Sequence, residues 1–197
     1  ASFEKIKQVV DVRKGEIMFG LNMIVHKGRT IFVGDTSVHE YPSSEQMAEI
    51  AISTARVVRL FGFDPKVAFV SHSTFGQPLT SRTKHIRNAV EILKEKNVDF
   101  QFDGDMQPDV ALNSEYEELY PFAKIVGKAN ILVMPGQHSA AISYKLMKSI
   151  GDSKVIGPLL IGLGLPIEIA PLRSSTSEIL NLASIAAYSA DVIDYQN

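Results

Sequence analysis

Val67-Ala68-Phe69-Val70-Ser71-His72-Ser73-Thr74-Phe75-Gly76 is a short apolar run that passes directly into two serines, an imidazole, a threonine and a glycine. An unbroken apolar run after Asp64-Pro65 reads as a strand buried on both faces of a parallel sheet. Beyond the loop, Ile86, Ala89, Val90 and Leu93 recur at helical spacing with charges between them. The local unit is therefore strand, loop, amphipathic helix. Upstream, Ser43-Ser44-Glu45-Gln46 has the form of a capping box, and Met47, Ile50, Ala51, Ala55, Val58 and Phe61 continue it as a helix stopped by Gly62. Further upstream, Leu21–Val25 and Thr30–Val33 flank the turn signal His26-Lys27-Gly28-Arg29 and predict a hairpin. Downstream, the alternation returns with a strand over Val98–Phe102, a strand over Ile131–Met134 before a helix near Ser139–Ile150, and a strand from Val155 toward Leu163. A last helix over Ser177–Tyr188 follows the hydroxyl-rich cap candidates Ser174, Ser175 and Thr176. Strands alternating with helices predict an α/β fold: a mainly parallel sheet with helices on both faces, preceded by an N-terminal hairpin.

The 197 residues, 45% of them hydrophobic, suffice for a sizeable core. Twenty basic residues against twenty-two acidic ones leave a formal charge of −2, so no overall field favours nucleic acid or acidic lipid. The absence of cysteine excludes disulfides, thiolate metal sites and cysteine nucleophiles, and fits a reducing compartment. The most apolar stretch, Val155–Pro166, is interrupted by Gly157, Pro158, Gly162 and Gly164 and is too short to span a bilayer; with no apolar signal core, the expected location is the cytoplasm.

In open α/β sheets ligands bind beyond the carboxyl ends of the strands, where loop amides and helix N-termini are unpaired. This rule selects the loops 71–80, 103–108, 135–139 and 162–166. The segment Ser71–Gly76 suits close backbone approach to a phosphate or carbonyl oxygen, ahead of the alternative of a cap and turn. Asp103-Gly104-Asp105-Met106-Gln107-Pro108-Asp109 offers three carboxylates, but it lacks the twelfth-position Glu of a calcium loop and reads as a polar turn before a helix led by Pro108. Gln137 and His138 follow a strand and point toward the same crevice, where a lone histidine serves more often as a cap than as a catalyst. His26, His39, His72, His85 and His138 have no metal-ligand spacing, so no metal site is expected. Gly162-Leu163-Gly164 lacks the third glycine of a dinucleotide fingerprint. Arg82, Lys84, His85 and Arg87 oppose the dipole at a helix start, either as a solvated face or because an anionic ligand lies there.

Taken together, these stretches resemble the phosphotransacetylase (phosphate acetyl/butyryltransferase) family over nearly the whole chain. The marks are Thr36-Ser37-Val38, Ser44–Ala51, Val67–Gly76, Asp103–Gln107, Gly127–Pro135, Ile156–Leu159 and Ile179–Leu182. Tyr120-Pro121-Phe122, Pro135–Ala140 and Val155–Leu163 make the chain most similar to the phosphotransacetylase-like domain fused behind the catalytic part of bacterial hybrid malic enzymes. The resemblance implies one subdomain over residues 1–170 and a helical segment, 171–197, that returns to a second subdomain. It also implies acetyl-CoA as a regulatory ligand and self-association. A malic-enzyme part converting malate to pyruvate and CO2 would stand in cis, and NAD(P) and a divalent metal are expected only there.

The departures decide the expected mechanism. Working family members carry a Ser-Arg pair and, some six positions on, an acidic residue; here the ungapped positions hold Pro171, Leu172 and Glu178. The family's lysine in the Ser-x-Ser-Thr-Lys-Gly loop is Phe75. Leucine and proline cannot neutralise a phosphate, and such a loss costs several powers of ten in rate. A register slide would offer Arg173. The expectation is therefore an acetyl-CoA crevice of Ser73, Thr74, Gly76, Gln137, His138, Arg173 and Ser174, with no catalytic residues. Were the domain active, Arg173 and Glu178 would carry the chemistry. The alternatives are an active phosphate acyltransferase and a purely structural oligomerisation module.

Overall fold

The structure is a computed structural model that describes residues 2–194. Its elements run α1 (Ser2–Lys7), β1 (Phe19–His26), β2 (Arg29–Gly34), α2 (Ser44–Leu60), β3 (Lys66–Val70), α3 (Ser81–Glu95), β4 (Gln101–Met106), α4 (Pro108–Leu112), β5 (Ile131–Val133), α5 (Gln137–Ile150), β6 (Lys154–Ile161) and α6 (Thr176–Asp194). The six strands form one sheet in the order β4-β3-β5-β2-β1-β6. β4, β3, β5 and β2 are parallel neighbours, whereas β1 is antiparallel to both β2 and β6. The expected hairpin is thus β1–β2, closed by Lys27 and Gly28 at φ 46° and 76°, the paired positive angles of a type I′ turn. It lies inside the sheet rather than beside it.

Helices cover both faces, as the alternation predicted. On one face Phe19, Phe32, Val67 and Phe69 pack with Met47 and Ile50 of α2, Ile86 and Leu93 of α3, and Leu182 of α6. On the other, Ile24, Val33, Ala68, Val70 and Leu132 pack with Ala111 of α4 and Ala140 of α5. The capping box of α2 forms as read from the sequence: the Gln46 amide donates to Ser43 Oγ (3.1 Å), and the Ser43 amide donates to Gln46 Oε1 (2.8 Å). Ser43→Ala should cost about 1 kcal/mol of unfolding free energy, measured by urea denaturation.

One element differs from the sequence reading. The strand expected over Val98–Phe102 begins at Gln101 and continues through Asp103-Gly104-Asp105 to Met106, where a polar turn was expected. Asp103 and Asp105 are buried there. Their charge suggested a solvated turn, but loop amides folded over the strand supply the hydrogen bonds that water would otherwise provide. Among the described residues, no helix is long and apolar enough to cross a membrane.

Candidate functional site

The loop after β3 is built around Asp105. Ser71 N donates to Met106 O (2.9 Å) and Phe75 N to Asp105 O (2.7 Å), so the chain leaves β3 and doubles back over the end of β4. Ser73 Oγ donates to Asp105 Oδ2, which also accepts from the Gly76 amide (3.4 Å). Thr74 Oγ1 accepts from Gln107 N (3.2 Å), and His72 O from Gln107 Nε2 (2.9 Å). Ser73 is fully buried and Thr74 nearly so, which turns both hydroxyls inward and leaves the His72 side chain outward. The loop therefore offers a ligand its backbone and its exposed rim.

A second buried carboxylate shapes the neighbouring loop. Asp35, just past β2, accepts from the amides of Gly20 (2.9 Å), Ser37 (2.8 Å), Val38 (3.1 Å) and His39 (2.7 Å), and pairs with His39 Nδ1 (2.7 Å). His39 O then accepts from Gln137 N (3.0 Å), fastening this loop to the first turn of α5. Gly136 is required there, because a Cβ would stand 2.3 Å from Glu40 O. Gln137 and exposed His138 are thus held at the carboxyl end of β5, on the same sheet edge as loop 71–76. Tyr41, Pro42, Arg82, His85 and Pro135 line a crevice at the start of α3. Arg82 lies over the Tyr41 ring (6.0 Å). Among the described residues, none of Arg82, Lys84 and Arg87 forms an ion pair.

Ser174 and Glu178 lie elsewhere. They line a cleft with Tyr144, Lys148, Gly157 and Pro158, at the outer edge of β6 between α5 and α6. Arg173 is exposed next to them. Glu178 closes a capping box at the start of α6: its carboxylate accepts from Ser175 N (2.8 Å), and its amide donates to Ser175 Oγ (3.2 Å). Lys148 Nζ adds an ion pair at 3.0 Å. The Ser175 amide first, then the Lys148 ammonium and the Ser175 hydroxyl, hold the Glu178 carboxyl down at about 2. So weak a base is poorly matched to removing a thiol proton.

Glu168, which the sequence reading did not single out, sits in a largely apolar cleft with Val57, Leu60, Phe61 and Ile185 and accepts from Leu160 N (3.2 Å). Burial pushes its carboxyl up to about 8 against that opposing hydrogen bond. A raised acid holds its proton more tightly when folded. Its stabilisation is therefore complete below the unfolded value near 4.5 and is lost as pH rises through about 8. Denaturation midpoints should fall with pH across that window, and Glu168→Gln should flatten the fall. Among the described residues, no group of three or more His, Cys, Asp or Glu is placed to hold a metal ion.

The sequence brought Ser73, Thr74, Gly76, Gln137 and His138 to notice, and the fold gathers them at the carboxyl ends. Of the two carboxylates that hold them, Asp105 reads in the sequence as part of a polar turn and Asp35 is not singled out; both follow a glycine at the end of an apolar strand, Gly34-Asp35 and Gly104-Asp105.

Comparison with known proteins places this architecture. The chain is 44% identical over 189 residues to an NADP-dependent malic enzyme of Rhizobium meliloti (strain 1021), covering 96% of this chain and 25% of that protein. It is 32% identical over 185 residues to a phosphate acetyltransferase of Bacillus subtilis (strain 168), covering 93% of this chain and 57% of the relative. A phosphotransacetylase structure from Streptococcus pyogenes superposes with a TM-score of 0.90 at 30% identity, over 96% of this chain and 59% of that one. The chain thus spans about a quarter of the malic enzyme and somewhat over half of the transferase. The model of the phosphate acetyl/butaryl transferase family matches residues 2–187, and the chain belongs to that family.

Proposed function

We propose that this chain is a phosphotransacetylase-like domain of a malic enzyme, that it binds acetyl-CoA as a regulatory ligand, and that it does not transfer the acetyl group. The observation that carries this reading is Glu178, whose carboxylate is committed to capping α6 and to Lys148 at the position where the family resemblance implies a reacting acid. Two further losses support it. Phe75 stands where the resemblance implies a lysine, and Pro171 and Leu172 stand where it implies a serine and an arginine. Recognition has support of its own, because Arg82, which has no ion-pair partner among the described residues, lines the crevice with His85 at the start of α3 and suits an anionic ligand.

Self-association belongs to the same proposal. Ile142, Leu146 and Ile150 are 57%, 55% and 79% exposed and lie one turn apart on α5, an apolar stripe suited to covering by another protein surface. On this reading the segment 171–197 returns to a second subdomain. Within it, Leu182 packs on the core, Tyr188 Oη donates to Leu60 O (3.3 Å), and Ile179 and Leu180 face outward; residues 195–197 lie outside the described residues.

Calorimetry on the full-length protein should show saturable acetyl-CoA binding that weakens when Gly76, at φ 82° and with Arg87 Nη1 2.7 Å from a would-be Cβ, is changed to Val. An absence of binding in the unsubstituted protein would discard the reading. The competing reading, an active acyltransferase, rests on exposed Arg173 beside Ser174. It predicts acetyl-CoA formation from acetyl phosphate and CoA that Arg173→Ala abolishes.

A further inference from the structure

The cleft that holds Glu168 shares no lining residue with the crevice at the start of α3, and neither acyl-CoA recognition nor self-association uses it. It lies between α2, α6 and the end of β6, bordered by residues from the segments 13–16 and 162–168. Its volume is about 290 Å³, and Val57, Phe61, Leu159 and Ile185 are among its apolar walls. An apolar pocket with a few converging polar groups is the usual form of a small-molecule site.

The backbone places those polar groups. Ile167 and Ile169 pack with Val10, Met18, Leu160 and Leu163, so the intervening Glu168 side chain turns the other way, into the cleft. Its Oε2 accepts from Leu160 N (3.2 Å), whereas Oε1 forms no hydrogen bond among the described residues. Arg13 enters from the N-terminal segment. Its amide donates to Gly162 O (2.9 Å) and its Nε to Leu163 O (2.8 Å), which fixes the guanidinium at the cleft. The Nη atoms form no hydrogen bond among the described residues, and the Arg13–Glu16 ion pair is long, at 3.9 Å.

The charge of the lining selects the ligand. Glu168 is mostly uncharged at neutral pH, because burial pushes its carboxyl up to about 8. Sharing the cleft with it are Arg13 and Glu16 from the N-terminal segment, Arg56 and Arg59 from α2, and Tyr188 from α6. Arg56 pairs with Glu16 (2.8 Å) and Arg59 with Asp99 (3.0 Å), so the Arg13 guanidinium is the charge left over. It repels an ammonium. A carboxylate accepts from both the Glu168 hydroxyl and the Arg13 Nη atoms, and the apolar surround strengthens such bonds.

Independently of the acyl-CoA reading, we propose that this cleft binds an aliphatic monocarboxylate, its chain between α2 and α6 and its carboxylate held by Glu168 and Arg13. Ligand pockets run from about 300 to about 1,000 Å³, so this one fits a medium-length chain and is too small for a whole phospholipid.

The test is calorimetric titration of the full-length protein with octanoate, and with octylamine as the counter-probe. At neutral pH octanoate should bind saturably and octylamine should not. Because the site needs the Glu168 proton, octanoate affinity should fall as pH rises through about 8, approaching a loss of about tenfold per pH unit beyond it. Glu168→Gln keeps an acceptor for Leu160 N and an N–H donor for the ligand, so it should still bind octanoate, with an affinity that stays flat across that range. Arg13→Gln should weaken octanoate about tenfold or more. Ile185→Trp, which fills the cleft, should abolish octanoate binding and leave acetyl-CoA affinity unchanged. Octylamine binding as tightly as octanoate overturns the proposal, as does octanoate binding that is absent or independent of pH in the unsubstituted protein. Octanoate that competes with acetyl-CoA for one site overturns it as well, and leaves the acyl-CoA reading standing.

Discussion

Asp35→Ala is expected to lower the unfolding free energy by about 3–5 kcal/mol, the largest loss from any single polar side chain in this fold. The magnitude follows from what the carboxylate does. It is 1% exposed and accepts from four backbone amides and the His39 ring. Removing it strands those donors in a loop folded too tightly for water to replace every bond, and each unsatisfied amide costs about 1–3 kcal/mol. Against a typical total of about 5–15 kcal/mol, the change approaches complete unfolding at elevated temperature. Asp35→Asn, which keeps one acceptor oxygen, should lose roughly half as much. Urea denaturation of the three proteins decides the matter, and equal stability of Asp35→Ala and the unsubstituted protein would refute the role assigned here.

Asp105→Ala comes next, with an expected loss of about 2–4 kcal/mol. Asp105 is fully buried and holds the Ser73 hydroxyl and the Gly76 amide, while its Oδ1 has no partner. The substitution therefore removes a buried oxygen without a partner as well as two bonds, which is why the loss should be smaller than at Asp35. Its functional effect should be the greater of the two. Loop 71–76 would lose the anchor that sets its rim, so acetyl-CoA affinity should drop more than stability alone explains. Hydrogen exchange localised to residues 71–80 in Asp105→Ala would confirm this, and unchanged protection there would count against it.

These two carboxylates also show where sequence reasoning reached its limit. The elements were legible because their apolar spacing is strong: Met47, Ile50, Ala51, Ala55 and Val58 mark α2, and Val67–Val70 mark β3. The loops could be named because parallel strands fix which ends carry ligands. What the pattern could not show was the far end of β4. A strand reading Gln-Phe-Asp-Gly-Asp-Met has the composition of a turn, and its burial depends on the Ser73 hydroxyl and the amides of Phe75, Gly76 and Lys124, which no local window contains. Arg173 and Ser174 show a similar limit. The family resemblance joined them to the crevice of Ser73 and Gly76, but the fold of this chain sets Ser174 along the outer edge of β6.

Recognition of acetyl-CoA and the absence of acetyl transfer can be read in one experiment. Equilibrium dialysis of the full-length protein against acetyl-CoA in phosphate buffer reads how much ligand is retained and how much becomes acetyl phosphate and free CoA. The account predicts saturable retention of intact acetyl-CoA with no acetyl phosphate above the protein-free control. Conversion that scales with protein and vanishes in Arg173→Ala would contradict it, as would failure to retain the ligand at all.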